Sequence, residues 1–497
     1  GIEFDYSSVH CVQTLKELGY DVVIINNNPE TVSTDYDTAD RLYFEPLTPE
    51  DVMGVIEVEH PVGVVVAFGG QTAIALTEFL DQQGIPILGT SADGVDAAED
   101  RERFDIILNK CEIPRAEGRT VFTTEQALAA ANAVGYPVLV RPSYVLGGQG
   151  MEIAYKDQDI VDFMKIINMT VQEHPILVDK YLMGREVEVD GVFDGEDVLI
   201  PGIMEHVERT GIHSGDSISV YPTFSVSQKA KDKIIDYTVK LGLRIGIVGL
   251  YNIQFILDEN DEVYVIEVNP RSSRTVPFLS KSTGVPMAHI ATQVILGKTL
   301  RELGITEVYG KEKKRWYVKA PAFSFAKIRG MDSYLSPEMK STGEAIGYDD
   351  KLTRALYKAL QATGMNVSNY GTIFVTIADH DKEQALPLVR RFYDLGFNIE
   401  ATTGTAEFLR NHGIRTRTRR KLSEGSSEII DSLRQGHVSY VINTIDVNQH
   451  NTRLDGYEIR RTAVENNVTV FTALETVKVL LDVLEEITFG VSTIDAK

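Results

Sequence analysis

The chain has 497 residues, of which 72 are acidic and 49 are basic, giving a net charge of −23 at pH 7. This excess of negative charge excludes general affinity for nucleic acid or for an anionic membrane, and no apolar run has the length of a membrane span. A hydrophobic content of 43%, together with alternating strand and helix signals, predicts a soluble α/β protein, and the length corresponds to about three or four domains. Cys11 and Cys111 lack metal or disulfide spacing, so we expect both to be buried in a protein of the reducing cytoplasm.

The first 92 residues alternate between helical and extended patterns. The predicted helices are 9–18, the segment after Thr48-Pro49-Glu50, and 73–83, and the predicted strands are 21–26, 63–68 and 86–88. This alternation is typical of a doubly wound domain. Because the chain opens on a helix, we expect the first strand of this domain, and part of the natural protein, to be missing upstream. The turn 69–72 (Gly-Gly-Gln-Thr) would bind an anion or serve only as a tight turn.

A second region is predicted from residue 93 to 297, and its first half contains a glycine-rich loop. A helix over 98–111 precedes a strand over 137–141, which is followed by the loop 143–150. Glycines allow backbone N–H groups to approach phosphate oxygens, and such a loop can close over a nucleotide. The alternative is a mobile surface loop, but Arg141 at the end of the strand favours phosphate binding.

Two further segments of this region carry polar side chains. The run Glu186-Val187-Glu188-Val189-Asp190 alternates acidic with apolar residues, so its carboxylates share one strand face, where one could bind a ribose or a cation. A solvated edge strand would explain the pattern as well. In the polar turn 211–216, His213 would orient a phosphate, transfer a proton or be a structural histidine.

The most specific segment is a predicted hairpin with strands at 250–257 and 262–269. A symmetric turn would place Val265 opposite Gln254, with Glu267 as the diagonal neighbour of Gln254. These two polar side chains would then share the coordination of one ion.

The end of the hairpin contains the candidate metal ligands, followed by two arginines. Glu267 and Asn269 point to the same face because they are two residues apart in a strand. Carboxylate and amide oxygens, including that of Gln254, suit Mg²⁺ or Mn²⁺. Arg271 and Arg274 follow at once, where they would neutralise a transferring phosphoryl group. The alternative is a surface hairpin with solvated charges.

The remainder of the chain is predicted to form a connector and a final domain. Residues 298–364 read as a helical connector, with a helix over 345–363. Residues 365–497 repeat short strands between amphipathic helices, which predicts another doubly wound domain. Its predicted strands are 372–377, 398–401, 440–443 and 469–471.

The final domain also contains a candidate anion site. The segment 401–405 (Ala-Thr-Thr-Gly-Thr) lies where a strand meets a helix, and a helix N-terminus attracts anions. Basic residues follow it: Arg410, Arg415, Arg417, Arg419, Arg420 and Lys421. The cluster predicts a phosphorylated effector, or else a solvated basic loop.

Together these motifs resemble a known enzyme family. Arg141 with the glycine loop, Gln254 and the run 267–274 are similar to the ATP-grasp fold. Longer strings resemble the large subunit of carbamoyl-phosphate synthase, namely Ile2-Glu3-Phe4-Asp5-Tyr6, residues 28–37, Arg101-Glu102-Arg103-Phe104 and residues 140–148. That subunit is an internal duplication. A single copy of each motif, followed by a domain similar to methylglyoxal synthase, indicates its C-terminal half.

The resemblance implies a reaction and its partners. The C-terminal half would use ATP, with Mg²⁺ or Mn²⁺ and K⁺, to phosphorylate carbamate to carbamoyl phosphate for pyrimidine or arginine biosynthesis. The N-terminal half of the large subunit would make carbamate from bicarbonate, ATP and ammonia. A separate glutaminase small subunit would release that ammonia, and we expect an oligomer of such heterodimers in the cytoplasm.

The resemblance also implies site residues. Arg141, Arg271 and Arg274 would be catalytic, Gln254, Glu267 and Asn269 would hold the divalent metal, and His206 and Glu208 would hold potassium. ATP would contact Arg101, Arg141, Gly147, Gly148, Lys180, Leu182, Glu186, Gly211, Ile212, His213, Ser214, Gln254 and Glu267. Lys180 would act through its backbone rather than its ammonium. A nucleotide or phosphorylated effector would contact Thr402, Thr405, Lys421, Asn443 and Thr444. Ile445 stands where relatives that bind uridine monophosphate can carry threonine, so the identity of the effector stays open.

Two other functions fit part of these features. An ATP-grasp ligase of the biotin carboxylase type would share the metal ligands and the glycine loop but not the terminal regulatory domain. A fragment that binds nucleotide and effector without turnover would keep both sites.

Overall fold

The structure is a computed structural model, and it describes residues 4–142, 151–170, 175–328, 330–445 and 450–488. The chain divides into two compact units. The first unit comprises Gly1–Glu117, Leu182–Glu205 and Tyr221–Lys313, and the second comprises Gly118–Tyr181, His206–Val220 and Lys314–Lys497. The predicted glycine loop with Gly147 and Gly148 lies outside the described residues, as do Ile2 and Glu3 of the first family-like string.

The helices and strands follow in chain order. The elements up to residue 209 are α1 (Asp5–Glu17), β1 (Val23–Ile25), β2 (Arg41–Tyr43), α2 (Pro49–Glu59), α3 (Gly70–Ile74), α4 (Thr77–Gln82), α5 (Ala92–Glu99), α6 (Arg101–Cys111), β3 (Gly118–Val121), α7 (Thr124–Val134), β4 (Val138–Pro142), β5 (Glu152–Ala154), α8 (Asp157–Thr170), β6 (Ile176–Lys180), β7 (Arg185–Phe193), β8 (Val198–Leu199) and β9 (Ile203–Arg209). The remaining elements are β10 (Ser219–Tyr221), α9 (Gln228–Ile245), β11 (Gly249–Leu257), β12 (Val263–Asn269), α10 (Val276–Thr283), α11 (Met287–Ile295), β13 (Trp316–Ala322), β14 (Gly343–Asp349), α12 (Leu352–Ala362), β15 (Thr372–Thr376), α13 (Lys382–Asp394), β16 (Asn398–Thr402), α14 (Thr403–Asn411), β17 (Thr416–Arg419), α15 (Glu428–Arg434), β18 (Val438–Asn443), α16 (His450–Glu465), β19 (Thr469–Phe471) and α17 (Leu474–Ile487).

The first unit is built around antiparallel strands in the order β12-β11-β7, with β8 paired to β7. Helices α6 and α9 pack against this sheet and bury a core that includes Phe104, Val187, Leu241 and Phe255. The amphipathic α9 starts after Ser227, whose hydroxyl accepts the Ala230 N–H at 3.2 Å, as a helix cap should. The hydrophobic sheet fixes the hairpin that carries the candidate metal ligands.

The N-terminal part of the first unit differs from its predicted pattern. β1 and β2 pair in parallel, whereas the predicted strands 63–68 and 86–88 contribute only the parallel bridge between Val64 and Ile87. The predicted helix over 98–111 is broken at Asp100, which is extended and whose carboxylate caps α6 by accepting the Arg103 N–H at 2.8 Å. The predicted helix over 73–83 is likewise two helices, α3 and α4. Cys11 and Cys111 are buried, as predicted.

The second unit contains three groups of strands. An antiparallel sheet has the order β3-β6-β4-β5 and packs against α7 and α8. A second group has the order β10-β13-β14. A parallel sheet has the order β17-β16-β15-β18-β19 and buries a core against helices that include α13 and α17. Four of its strands match predicted ones, and β17 was not predicted.

The segment 298–364 is not the helical connector that the sequence predicted. Its residues 316–322 and 343–349 form the antiparallel pair β13–β14, so the helix α12 begins at Leu352 rather than at residue 345. Helix α12 lies so close to β14 at Gly347 that an added Cβ would come within 2.4 Å of the Ala359 nitrogen. The helix-forming composition of 345–363 thus belongs to its later part, while Ile346, Gly347 and Tyr348 pair with β13. No helix in the described parts of the chain is long and apolar enough to cross a membrane.

Candidate active site and effector pocket

Gln254 and Glu267 lie directly opposite each other on β11 and β12 of the first unit. The predicted register, with Val265 opposite Gln254, is therefore wrong, because Val265 pairs with Phe255. The ladder shifts between Gln254 and Phe255, which leaves Ile266 as the extra residue of a β-bulge. The bulge makes Gln254 and Glu267 direct partners rather than diagonal neighbours.

Asn269 connects Glu267 to the arginine loop. Its Nδ2 donates to Glu267 Oε1 at 3.1 Å, and its Oδ1 accepts a hydrogen bond from Arg271 Nη2 at 3.2 Å. Glu267 is exposed, while Gln254 and Asn269 are half-buried. One carboxylate and two amides form an all-oxygen donor set, which fits Mg²⁺ or Mn²⁺. In the described parts of the chain, no group of three or more His, Cys, Asp or Glu side chains could hold a metal ion.

Arg271 is held by several partners within the first unit. Its Nε donates to Gln71 Oε1 at 3.0 Å and its Nη1 to the Ser272 carbonyl at 3.0 Å. The guanidinium lies 5.4 Å from the centre of the Phe4 ring. The turn 69–72, which the sequence suggested as an anion site, begins α3 and presents Gln71 to Arg271. The orientation of this arginine is thus set by the protein itself.

The carboxylates of β7 are buried, so this segment is not the solvated edge strand that the sequence left open. Glu186, Glu188 and Asp190 are 7%, 3% and 1% exposed. Asp190 accepts hydrogen bonds from Ser273 Oγ at 2.6 Å, from Thr275 Oγ1 and from Asn252 Nδ2 at 3.0 Å. Burial and the neighbouring charge of Glu188 raise the pKa of Asp190. The sequence offered Asp190 only as one of three carboxylates on this strand face, and it did not single out Ser273 or Thr275, because their contact with Asp190 joins residues more than eighty positions apart.

Other predicted ATP-binding residues of the first unit lie on separate elements. Arg101 is the first residue of α6, and its Nε is 3.9 Å from Asp105 Oδ2. Leu182 precedes β7 and is half-buried, and Glu186 is the second residue of that strand. The half-buried Arg274 lies between Ser273 and Thr275, the two residues that donate to Asp190.

In the second unit, Arg141 and Lys180 lie on the paired strands β4 and β6. Arg141 Nε is 3.9 Å from Asp179 Oδ2. Lys180 Nζ donates to the carbonyl oxygens of Gly135 at 2.8 Å and Tyr136 at 2.9 Å. The Lys180 ammonium therefore holds the segment that follows α7, which agrees with a nucleotide contact made through its backbone.

The predicted turn 211–214 also belongs to the second unit. The His213 N–H donates to the Ser336 carbonyl at 2.9 Å, and His213 Nδ1 accepts the Gly215 N–H at 3.0 Å. Because Nδ1 is an acceptor, a neutral His213 carries its proton on Nε2. Ser214 contributes its carbonyl to Lys319 Nζ at 3.4 Å. These bonds fix the backbone of the turn, and His213 has at least this structural role.

His206 and Glu208, the predicted potassium ligands, are two residues apart on β9 and are 3% and 2% exposed. Glu208 Oε2 accepts the Ile218 N–H at 2.7 Å, and its Oε1 accepts the Thr476 hydroxyl at 2.9 Å. Burial raises the pKa of Glu208 to about 7, against the lowering effect of these donors. The strand thus presents a buried carboxylate with two well-defined partners beside a histidine.

All five predicted effector residues line one pocket of the second unit. Thr402 and Asn443 end the parallel strands β16 and β18, and ligands of open parallel sheets bind beyond the carboxyl ends of their strands. The five residues share this pocket with further lining residues, namely Thr376, Asp379, Lys382, Ile445, Asp455 and Gly456.

The hydroxyl groups of the pocket are already ordered by the protein. Thr405 Oγ1 accepts the Ile377 N–H at 3.2 Å, and Thr444 Oγ1 accepts the Ala378 N–H at 2.8 Å. Lys382 Nζ pairs with Asp379 Oδ1 at 2.6 Å. The rim therefore combines fixed hydroxyl groups with two lysines, Lys382 and Lys421.

The arginines of the basic run are not among the residues that line the pocket, and the sequence had left a solvated basic loop open for them. Arg419 is bound to Glu400 and Arg420 to Glu428. Arg410 Nη1 donates to the Thr418 hydroxyl at 2.9 Å. Because these guanidinium groups have partners along β16, β17 and α15, only Lys421 of the run reaches the pocket.

Comparison with known families identifies three successive domains. The carbamoyl phosphate synthase preATP-grasp domain matches residues 1–97, and the ATP-binding domain of the carbamoyl-phosphate synthase L chain matches residues 100–303. The MGS-like domain matches residues 384–472.

Solved structures of two biotin carboxylases and of a synthetase share the fold over much of this chain. The biotin carboxylase domain of Hydrogenobacter thermophilus 2-oxoglutarate carboxylase, in complex with MgADP, ADP and bicarbonate, aligns over 72% of this chain and 87% of its own, with a TM-score of 0.57 and 18% identity. Campylobacter jejuni biotin carboxylase aligns over 72% of this chain and 89% of its own, with a TM-score of 0.57 and 15% identity. N5-carboxyaminoimidazole ribonucleotide synthetase, solved as an ADP complex, aligns over 71% of this chain and 93% of its own, with a TM-score of 0.56 and 15% identity. At these identities the likeness shows the fold alone.

Proposed function

We propose that this chain, which has the domain architecture of the C-terminal half of a carbamoyl-phosphate synthase large chain, phosphorylates carbamate with ATP to give carbamoyl phosphate and ADP. In general terms, the chain is an ATP-grasp ligase of the carbamoyl-phosphate synthase and biotin carboxylase type. The observation that carries the proposal is the continuous arrangement of Gln254, Glu267, Asn269 and Arg271 in one unit. The MGS-like domain favours this function over that of a biotin carboxylase.

The metal site would be built from the hairpin. Gln254, Glu267 and Asn269 supply the oxygen ligands, and a bound Mg²⁺ or Mn²⁺ would neutralise charge on the nucleotide phosphates. The Asn269 amide nitrogen donates to Glu267, and its oxygen is turned towards Arg271. The hairpin thus orients ligands before any ion binds.

Arg271 and Arg274 would stabilise the phosphoryl group during its transfer. Phosphoryl transfer requires positioning and charge neutralisation rather than a side-chain nucleophile. Arg271 is oriented by Gln71 and Asn269, so it needs little reorganisation when charge develops. Carbamate oxygen attacks the terminal phosphorus of ATP, the bond to the bridging oxygen breaks, and ADP leaves with that oxygen.

Each unit contains residues that we propose for nucleotide recognition. The first unit offers Arg101, Leu182 and Glu186, in addition to the metal ligands. The second unit offers Arg141, Lys180 and the turn 211–214, whose backbone is fixed by hydrogen bonds. We propose that the glycine loop with Gly147 and Gly148 covers the phosphates and excludes water, which protects labile carbamate.

The partners, the potassium site, the effector and the pathway that we propose are those that the family resemblance implies. We propose that carbamate reaches this chain from the N-terminal half of the large subunit, and that a glutaminase small subunit supplies the ammonia. His206 and Glu208 would bind K⁺, and the pocket around Lys421 and Asn443 would bind a nucleotide or phosphorylated effector. The reaction belongs to pyrimidine or arginine biosynthesis in the cytoplasm.

The proposed reaction is tested by asking which substrates the chain uses. The chain is supplied with MgADP, K⁺ and either carbamoyl phosphate or acetyl phosphate, and ATP is measured. In parallel, ATP hydrolysis is measured with bicarbonate, with and without free biotin. We expect ATP formation with a strong preference for carbamoyl phosphate. Biotin-stimulated hydrolysis without ATP formation from carbamoyl phosphate would assign the chain to the biotin carboxylase type instead.

A further inference from the structure

Within the first unit, hydrogen bonds of Asp190 connect Asn269 on β12 with the residues on either side of Arg274. On one side it accepts Asn252 Nδ2 at 3.0 Å, and Asn252 Oδ1 in turn accepts Asn269 Nδ2 at 3.3 Å. On the other side it binds the hydroxyl groups of Ser273 and Thr275, which flank Arg274. Its 1% exposure means that water does not replace these bonds. A carboxylate is suited to this place because it only accepts hydrogen bonds.

We propose that Asp190 is a positioning residue that fixes Arg274 relative to the metal-binding strand β12. The proposal rests on the proposed function, because it assigns Arg274 to the transferring phosphoryl group. Misplacing such a group by about 1 Å can lower a rate about 100-fold. Removing a partner that orients a functional group typically costs about 10- to 100-fold in activity or metal affinity.

The test is Asp190→Asn, which keeps the size of the side chain but turns one acceptor oxygen into a donor. We expect the kcat of ATP formation from MgADP and carbamoyl phosphate to fall about 10- to 100-fold, while the KM for MgADP stays near that of the parent. The matched control is Glu205→Gln, because Glu205 is also fully buried but accepts the N–H groups of Phe224 and Ser225 instead. We expect the control to keep its kcat.

A failure of this inference can be told apart from a failure of the proposed function. An active parent with an equally active Asp190→Asn variant overturns this inference alone, whereas an inactive parent overturns the proposed function. If Asp190→Asn does not fold, Ser273→Ala and Thr275→Val remove the donors one at a time. An unchanged kcat in both then overturns the proposal, and a fall in kcat at constant KM supports it.

In the second unit, Arg460 contacts Asn443, one of the residues that line the effector pocket. Its side chain is 1% exposed, and its Nη1 donates to Asn443 Oδ1 at 2.6 Å. Its Nε and Nη2 donate to the two carboxylate oxygens of Asp332 at 2.7 and 2.6 Å. An added Cβ at Gly456 would lie 2.9 Å from Nη1, so this approach requires glycine. A buried arginine with this fork geometry holds both partners in one orientation.

Asp332 begins a segment, 332–341, that reaches the turn 211–216. The Ser336 carbonyl accepts the His213 N–H at 2.9 Å. The N–H groups of Lys340 and Ser341 donate to the buried carboxylate of Asp216 at 2.8 Å each. One short segment is thus bound at its start to the effector pocket, through Arg460, and further along to the turn.

We further infer that the Arg460–Asp332 pair transmits occupancy of the effector pocket to the turn 211–216 through the segment 332–341. The inference rests on the proposed roles of the pocket and the turn. A ligand that contacts Asn443 changes the position of its amide, and the pair passes that change on because two parallel hydrogen bonds join the buried Arg460 to the half-buried Asp332. The coupling is therefore carried by a continuous set of contacts.

The test measures amide hydrogen exchange by mass spectrometry in the parent, in Asp332→Asn and in the control Arg461→Gln, with and without uridine monophosphate as the probe. Arg461 is the exposed neighbour of Arg460 and pairs along its own helix with Glu465. We expect Asp332→Asn, but not the control, to exchange faster in the turn without ligand. The probe should slow exchange in the turn of the parent and not of Asp332→Asn.

Unchanged exchange in the turn of Asp332→Asn overturns the inference, even if the probe does not bind. So does a parent that binds the probe without any change in the turn. If Asp332→Asn fails to fold, Arg460→Lys keeps the buried charge and loses the fork, and the same comparison decides. Because none of these readouts needs turnover, their failure is separate from a failure of the proposed reaction.

Discussion

Glu267 on β12 lies directly opposite Gln254 on β11, with a β-bulge immediately beside the pair. This pairing puts a carboxylate and an amide oxygen on neighbouring strands at one end of a rigid hairpin. Asn269 extends the set by two residues along β12 and connects it to Arg271. The proposed metal ligands and the arginine proposed to bind the phosphoryl group therefore lie in one hydrogen-bonded arrangement.

A first prediction concerns metal affinity. Glu267→Gln removes the negative charge of the donor set, so the affinity for Mn²⁺ should fall about 10-fold or more. Loss of even an outer-shell partner of a metal ligand typically costs about 10- to 100-fold in affinity. Electron paramagnetic resonance of free Mn²⁺ measures this. Glu262→Gln on the same hairpin is the control, because Glu262 pairs with Lys233 at the far end of the strand. Equal Mn²⁺ affinities in the two variants would contradict the assignment.

A second prediction concerns Arg271. Arg271→Ala should lower the kcat of ATP formation about 100- to 1,000-fold, the usual cost of losing one oriented donor to developing charge. Binding of MgADP should change far less, because the ground state needs this arginine less than the transition state. Arg301→Ala is the control, since Arg301 is an exposed arginine of the same unit that pairs with Asp197. A loss confined to nucleotide affinity would argue against a catalytic role.

A third prediction separates the two roles that Lys180 could have. Lys180→Met leaves the carbonyls of Gly135 and Tyr136 without their donor, so the free energy of unfolding should fall by about 1–3 kcal/mol. The Kd for MgATP should stay close to that of the parent, because the backbone of Lys180 is retained. The exposed Lys165→Met serves as the control for stability. A large loss of affinity at unchanged stability would show that the ammonium contacts nucleotide.

Much of this arrangement follows from local sequence patterns. The alternation in the hairpin predicts its strands, and the spacing of Glu267 and Asn269 predicts their common face. The segment 401–405 predicts a strand that meets a helix N-terminus, whereas the grouping of Thr402 with Asn443 came from the family resemblance. These features depend on residues within one element or one repeated motif, which is why the sequence alone indicates them.

Other features depend on contacts between distant segments. The register at Gln254 follows from a bulge that no symmetric turn would produce. The buried partners of Asp190 lie beyond residue 250, and those of Arg460 include Asp332. The start of α12 is set by its packing at Gly347. Local propensity carries no information on such tertiary contacts.

A fourth prediction concerns acid stability of the C-terminal sheet. The Glu400 side chain is 5% exposed and accepts hydrogen bonds from Arg419 Nε at 2.9 Å, Arg419 Nη2 at 2.7 Å and Ser432 Oγ at 2.8 Å. Burial opposes its ionisation, but Arg419 and Ser432 outweigh that effect and lower the pKa of Glu400. The folded state therefore binds this proton more weakly than the unfolded state. The stability that results is present above the ordinary glutamate pKa and is lost as the pH falls through the lowered value.

Glu400→Gln should accordingly cost about 1–3 kcal/mol at neutral pH, because it leaves the half-buried Arg419 without its charged hydrogen-bond acceptor. The difference from the parent should shrink in acid. Urea unfolding at several pH values measures it. Glu428→Gln, which breaks the more exposed pair with Arg420, is the control and should cost about 1 kcal/mol or less. A cost that grows in acid would contradict the sign derived for Glu400.

The most direct test of the central claim is ATP formation from MgADP and carbamoyl phosphate in the presence of K⁺, compared between the parent chain, Glu267→Ala and the control Glu262→Gln. The account predicts ATP formation by the parent and the control and its loss in Glu267→Ala. A parent that binds MgADP but forms no ATP, or a Glu267→Ala variant as active as the parent, would contradict it.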